Sequence, residues 1–308
     1  MGAIAGSRAH PARGILLMIA AVTILSLLDT TAKYLARTYP VLGVVWARFA
    51  FQTLLMLVVL GPRSKLGLLR TRRPGMQIFR GILLMAASML FVSALSRMPI
   101  ADATAIGFLS PLIITALSVP MLRERVDALS WLAVLCGFAG VLVIIRPGSE
   151  MFTWSALLPL GAAGCFALFQ VLTRKLAGVD PALPTLFYPA LVGALMMTFV
   201  LPFYWTTPQT PVHAALFVFM GFLAGVGHFI MIKAYQIAPA PVIAPFVYTQ
   251  LVVVIGLGYV IFDELPDRWS VLGMAIVVAS GAFIFGRQHS ARRLTKEQPW
   301  ISRSPRRS

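Results

Sequence analysis

The sequence predicts an all-α integral membrane protein of ten transmembrane helices, built as two inverted five-helix repeats. Three observations lead there. Of the 308 residues, 59% are hydrophobic and only 12% are charged, with a mean hydropathy of +0.86, too little polar surface to cover a soluble globule of this size. Ten apolar runs are each able to cross about 30 Å of hydrocarbon as helices of about 20 residues. The chain also repeats itself. Shifted by 140 positions, Gly81 falls on Gly221, Pro99 on Pro239, Glu124 on Glu264, Asp127 on Asp267 and Ser130 on Ser270. Nearer the start the shift drifts by one or two residues, setting Thr31 and Lys33 over Thr173 and Lys175, and Pro40 over Pro181.

The ten runs lie near 14–34, 41–60, 76–97, 102–122 and 128–146, then 154–174, 183–204, 214–237, 241–262 and 268–286. Arg8 and Arg13 precede the first run as they would a signal peptide. That run continues unbroken through Leu28 with no small-residue cleavage site, so it reads as a span. Residues 61–75, rich in Arg, Gly and Pro, read as a linker. The tightest connections, Met98-Pro99-Ile100-Ala101 and Ala238-Pro239-Ala240-Pro241, occupy equivalent places in the two repeats, where proline stops one helix and sets up the next. Pro111 and Pro245 fall inside the fourth and ninth runs and free backbone carbonyls that can line a cavity. Gly137 with Gly140, Gly161 with Gly164, and Gly221 with Gly225 permit close helix approach. Cys136 and Cys165 sit within apolar runs and offer neither a disulfide framework nor metal-ligand spacing, and no motif calls for a cofactor.

The net charge of +16 suggests a nucleic-acid partner until the basic residues are sorted by connection. With the N-terminus inside, 19 of the 26 Lys and Arg residues fall on cytoplasmic segments: the N-terminus, 63–80, 123–125, 174–175 and the tail. External segments hold Lys33, Arg37, Arg97, Arg146 and Arg268. That asymmetry follows the positive-inside rule, puts both termini in the cytoplasm and excludes a nucleic-acid reading. The chain then divides into a cytoplasmic N-terminus (1–13), a first repeat (14–146), a second repeat (154–286) and a basic tail (287–308). The tail, with Trp300 and Pro305, reads as a solvated segment that helps fix orientation, with contact to anionic lipid as the alternative. Five is odd, so the second repeat enters the membrane from the opposite side. Such repeats are related by a pseudo-two-fold axis in the membrane plane and hold their solute near the midplane.

The run from Ala101 through Pro111 to Glu124, then Trp131 and Gly137 to Arg146-Pro147, has an echo from Pro241 through Glu264 to Gly281. Lys33 on the first run and Arg48 on the second, either side of Pro40, complete the pattern. This layout resembles the EamA-type transporters of the drug/metabolite transporter superfamily, over nearly the whole chain. The resemblance implies the ten-helix fold and a cavity lined by helices one, three, four, six, eight and nine. It also implies a small organic solute of the kinds the family handles, namely amino acids, nucleoside-like cofactors, vitamins such as riboflavin, or metal-chelating metabolites.

Ionisable groups inside a span cost several kcal/mol unless paired or facing water, so each is a functional candidate. Asp29 and Arg48 lie at overlapping depths near the outer ends of helices one and two, and read as a pair that Lys33, one turn from Asp29, can share, either as structure or as an external gate. The repeat predicts a central set. Ser88 and His228 are equivalents on helices three and eight, Ser110 and Gln250 on helices four and nine, and Tyr248 and Thr249 adjoin Gln250. The serines and the threonine have a plain alternative, bonding to helix carbonyls. His228, with no carboxylate near it in sequence, is the strongest single candidate; Gln250 and Tyr248 supply donors and acceptors for a neutral or zwitterionic metabolite. Glu124 and Glu264, at helix ends, read as caps or hairpin clasps.

These residues point to a secondary transporter of a small organic metabolite in the cytoplasmic membrane, as monomer or homodimer. An integral-membrane enzyme on lipid substrates would need clustered carboxylates or histidines near an interface, and Asp263-Glu264 with Asp267 is the one such group. A membrane scaffold would not need polar residues repeated at mid-depth. An ATP-driven pump is disfavoured because no Gly-x-x-x-x-Gly-Lys-Ser/Thr loop occurs.

Overall fold

The computed structural model of the chain describes residues 11–123, 126–147, 154–176, 179–238 and 240–296. Most of the N-terminus (1–10), Glu124, Pro239 and the tail beyond 296, with Trp300 and Pro305, lie outside the described residues. The fold is all-helical, with no β-strand among the described residues. Helices α1 (Pro11–Ala36), α2 (Val41–Ser64) and α3 (Pro74–Leu95) are followed by α4 (Ile100–Gly107), α5 (Ser110–Leu122) and α6 (Ala128–Ile145). Then come α7 (Leu157–Leu176), α8 (Ala182–Val200), α9 (Pro211–Ile237), the short α10 (Ala240–Ile243), α11 (Thr249–Phe262) and α12 (Arg268–Lys296). Among the described residues, nine helical stretches are long and apolar enough to cross a membrane, with α4 and α5 counted together. The tenth expected segment falls in α12, whose apolar part, Arg268–Ile284, is shorter.

Prolines set the helix boundaries. Pro74 and Pro211 occupy first-turn positions, where a missing N–H costs nothing, and Thr210 caps α9 by accepting from the His213 amide at 3.1 Å. The interruption between α4 and α5 centres on Pro111, whose absent N–H leaves the Gly107 carbonyl without a helical partner. Its counterpart is the tight 3₁₀ turn from Ala244 to Tyr248 around Pro245, which separates α10 from α11. Each interrupted span ends on a left-handed residue, Arg123 (φ 56°) after α5 and Asp263 (φ 57°) after α11. The next helices are held at their starts by Asp127 and Asp267. Ser130 donates its hydroxyl to Asp127 at 2.6 Å, and Asp267 accepts the Ser270 amide at 2.8 Å. The carboxylate that caps α12 is therefore Asp267, not Glu264.

The helix pairs come in matched sets. α1 packs on α9 and α3 on α7; α2 packs on α9 and α3 on α8; α1 packs on α11 and α5 on α7. α2 also packs against α8, α4 against α11, and α6 against α12. Several helix contacts leave no room for a side chain at glycine. A Cβ at Gly221 of α9 would run into Phe51 and the α2 backbone, and one at Gly140 of α6 would come within 2.9 Å of the Gly273 carbonyl of α12. Phe108 and Tyr248, at the two interruptions, pack ring against ring with centroids 5.0 Å apart.

Candidate functional site

Four polar side chains converge from four helices. Asp29 on α1 accepts a hydrogen bond from the Gln250 amide of α11 at 3.4 Å. Arg48 on α2 lies within electrostatic reach of Asp29, and also of His228 on α9. All four are half-buried, so none is fully covered by protein. The apolar packing that brings them together is dense: Leu28, Ala32, Ala47, Phe49 and Met220 belong to one buried cluster around them.

The group is poorly satisfied from within. The Nε of Arg48 is enclosed and, among the described residues, has no hydrogen-bond partner; the guanidinium carbon lies 5.9 Å from the Phe49 ring centre. His228 Nδ1 lies 2.7 Å from the Ala224 carbonyl. A carbonyl only accepts, so Nδ1 carries the proton, and in the neutral ring Nε2 is left as an acceptor for another molecule's donor. Helix two thus brings Arg48 to this group, although the lining implied by the resemblance did not include that helix.

The other sequence-predicted residues fall nearby but are arranged differently. Tyr248 is buried against Phe108, and among the described residues its hydroxyl has no hydrogen-bond partner. Thr249 spends its hydroxyl on the Phe246 carbonyl at 2.6 Å, the plain alternative for such a residue. Ser88 and Ser110 are buried, and among the described residues share no hydrogen bond with the Asp29 group.

Lys33 does not join Asp29. Its ammonium lies 2.6 Å from Glu264 and 2.7 Å from the Met98 carbonyl, and Arg37 reaches the other oxygen of Glu264 at 2.8 Å. The Ile100 amide adds a bond to Glu264 at 3.3 Å. One carboxylate therefore ties α1 to the turn between α3 and α4, and to the turn before α12. A cavity of about 260 Å³ opens beside it, lined by Lys33, Arg37, Arg97, Met98 and Glu264 among others. Arg146 and Asp267 pair at 2.6 Å at the same end. The Ser270 amide, and then Arg146, hold the Asp267 carboxyl below the usual carboxylate range.

A second polar network, which sequence reasoning passed over, occupies the opposite end. Arg80, counted as a loop charge, is only 1% exposed. It bonds the Thr173 hydroxyl through Nε at 3.1 Å and Nη2 at 2.8 Å, and Gln77 at 2.6 Å, and it stacks over Phe169. Asp180 accepts from the Thr71 hydroxyl, the Arg72 amide and Gln77. Partial burial pushes the Asp180 carboxyl up, but these bonds outweigh it and hold the group below its ordinary value. Asp102, also unremarked in the sequence, sits in the first turn of α4, and among the described residues its Oδ1 is enclosed without a hydrogen-bond partner.

A multi-pass helical bundle with an incompletely satisfied polar group between its helices is the architecture of a membrane transporter. The chain belongs to the EamA-like transporter family, whose model matches residues 12–146 and again 153–286. It is 31% identical to the S-adenosylmethionine uptake transporter of Rickettsia prowazekii over 84% of this chain and 87% of that protein. It is 29% identical to the riboflavin transporter of Vibrio cholerae, over 89% and 93%, and 25% identical to the pseudopaline exporter CntI of Pseudomonas aeruginosa, over 87% and 94%. A solved crystal structure shares the fold with a TM-score of 0.62 at 18% identity, covering 94% of this chain and 99% of that one. These names belong to transporters, not enzymes, and the chain is a multi-pass membrane protein that moves small solutes.

Proposed function

We propose that this chain is a secondary transporter of the cytoplasmic membrane, with both termini inside, and that it moves a small organic metabolite by alternating access between two inverted five-helix repeats. The matched packing of α1–α9 with α7–α3, of α2–α9 with α8–α3 and of α1–α11 with α7–α5 supports the inverted repeat. The ring contact of Phe108 with Tyr248 supports it too, because the two residues are 140 apart and equivalents meet at a two-fold axis. In this reading α12 supplies the tenth crossing, and the interrupted spans flank the solute path, as broken helices do in repeat transporters.

The observation that carries the proposal is the convergence of Asp29, Arg48, His228 and Gln250 from four helices of an apolar bundle. Polar groups there cost free energy, and a bundle that only needed to fold would not keep them half-satisfied. Tyr248, Ser110 and Ser88 belong to the wall of the same path in this reading, while Thr249 serves its own helix. The Lys33–Glu264 clasp closes the external end. The solute is a metabolite of the class that the relatives' names span, from S-adenosylmethionine to riboflavin.

The test is uptake of labelled S-adenosylmethionine and labelled riboflavin into proteoliposomes. One of them is expected to enter with wild-type protein, and His228→Ala and Gln250→Ala are expected to slow entry at least about tenfold, the effect of 1.4 kcal/mol lost from binding. Variants that transport like the wild type would move the site away from these residues.

A further inference from the structure

Asp29 and Arg48 carry opposite charges on packed helices, close enough for each to act on the other. No ion pair joins them: among the described residues, no nitrogen of Arg48 comes within 4.0 Å of an Asp29 oxygen. In a medium of low dielectric such charges attract strongly, so leaving them unpaired costs free energy. The helices that carry them are closely packed on α9. α2 lies against α9 through Gly221, and α1 lies against α9 at Gly227, where an added Cβ would come within 2.9 Å of Leu25. Neither charge has a full set of partners. Among the described residues, Asp29 has the long bond from Gln250, and the Arg48 Nε has none.

Each simple class of solute fails at this gap. An anion would answer Arg48 but face Asp29, a cation would do the reverse, and a neutral solute would leave both charges unpaired in a desolvated place. A group bearing an ammonium and a carboxylate on one carbon answers both, because Asp29 takes the ammonium and the planar guanidinium takes the carboxylate through paired donors. Resting on the central-site reading above, we infer that Asp29 and Arg48 form a split charge pair that selects a solute carrying an α-amino-acid zwitterion, free or as one end of a larger molecule. Gln250, already turned to Asp29, steadies the carboxylate that receives the ammonium. His228, through its free Nε2, reads a donor elsewhere on the solute. Of the solutes in the relatives' names, S-adenosylmethionine carries this group and riboflavin does not.

The experiment is ligand-dependent thermal stabilisation of the full chain purified in detergent. The probes are the common α-amino acids and the amines left by their decarboxylation, S-adenosylmethionine, decarboxylated S-adenosylmethionine and riboflavin, tested on wild type, Arg48→Gln, Asp29→Asn, His228→Ala and Gln250→Ala. At least one zwitterionic probe is expected to raise the melting temperature, and its decarboxylated counterpart is expected to need roughly 100-fold more for the same rise, the penalty for leaving a polar group of the site unanswered. Arg48→Gln is expected to lose that discrimination while folding normally without ligand. Asp29→Asn is expected to bind the zwitterion more weakly but still to distinguish it from the decarboxylated probe. Equal response to the two forms, or discrimination kept by Arg48→Gln, overturns the inference, as does silence from every zwitterionic probe. Stabilisation by riboflavin alone, abolished by His228→Ala, sinks the zwitterion and leaves the central site standing. A zwitterion response unchanged in both charge variants and in His228→Ala and Gln250→Ala removes the site itself.

Discussion

Arg48 and Arg80 are both arginines inside the helical bundle, and their surroundings are opposite. Arg80 bonds Thr173 twice and Gln77 once, and lies flat over Phe169. Among the described residues, Arg48 has an enclosed nitrogen without a partner and no ion pair with Asp29. A charge in hydrocarbon costs several kcal/mol unless it is answered. Arg80 is answered by the protein and acts as structure, fastening α3 to α7. Arg48 is not, and its cost makes sense if something else answers it during the transport cycle.

The sharpest way to break this comparison is to remove the satisfied arginine. Arg80→Ala strands Thr173 and Gln77 and is expected to cost about 3 kcal/mol, the usual penalty for breaking a buried polar network from one side. The melting temperature in detergent and the yield of folded protein report it. Glu264→Gln comes next. It leaves Lys33, which is 2% exposed, without its counter-charge, and is expected to cost about 2 kcal/mol, read by the same melt. If Glu264 also closes the external end, a cysteine placed at Ser96 beside the cavity will react faster with a membrane-impermeant thiol reagent in that variant.

Gly221→Ala probes the packing of α2, which carries Arg48, on α9. The new methyl meets Phe51 and the α2 backbone, and overpacking of this kind costs about 1–3 kcal/mol. It is expected to lower transport as well as the melting temperature, because it moves α2 and Arg48 relative to α9. Acid exerts a smaller effect. Asp180 and Asp267 both titrate below the usual carboxylate value in the folded protein. Their contribution is therefore present above the unfolded value of about 3.9 and is lost as pH falls through the lower, folded value. Melting temperature should fall on acidification below about pH 4, and less steeply in Asp180→Asn.

What could be read from the sequence differs between these regions for physical reasons. The helical spans were legible because apolar runs of membrane length have few other meanings. The interruptions at Pro111 and Pro245 were legible because proline cannot donate. Asp29, Arg48, His228 and Gln250 stood out as polar residues inside apolar runs. The partner of Lys33 was not legible: Asp29 lies one turn away in sequence, whereas Glu264 is 231 residues distant and meets Lys33 only when α11 packs against α1. Arg80 was hidden differently. It sits at the edge of a basic stretch, where counting charges treats every arginine as solvated, and only the fold shows Thr173 and Gln77 closing over it.

The most direct measurement is the ligand-free melting temperature of Arg48→Gln beside that of Arg80→Gln, with uptake assayed on the same preparations. Arg48→Gln is expected to melt at or above the wild type while losing transport, since it deletes a charge the protein leaves unanswered, and Arg80→Gln is expected to melt well below. An Arg48→Gln protein that melts as far below the wild type as Arg80→Gln would mean that Arg48 holds the fold together, and the central site would have to be sought elsewhere.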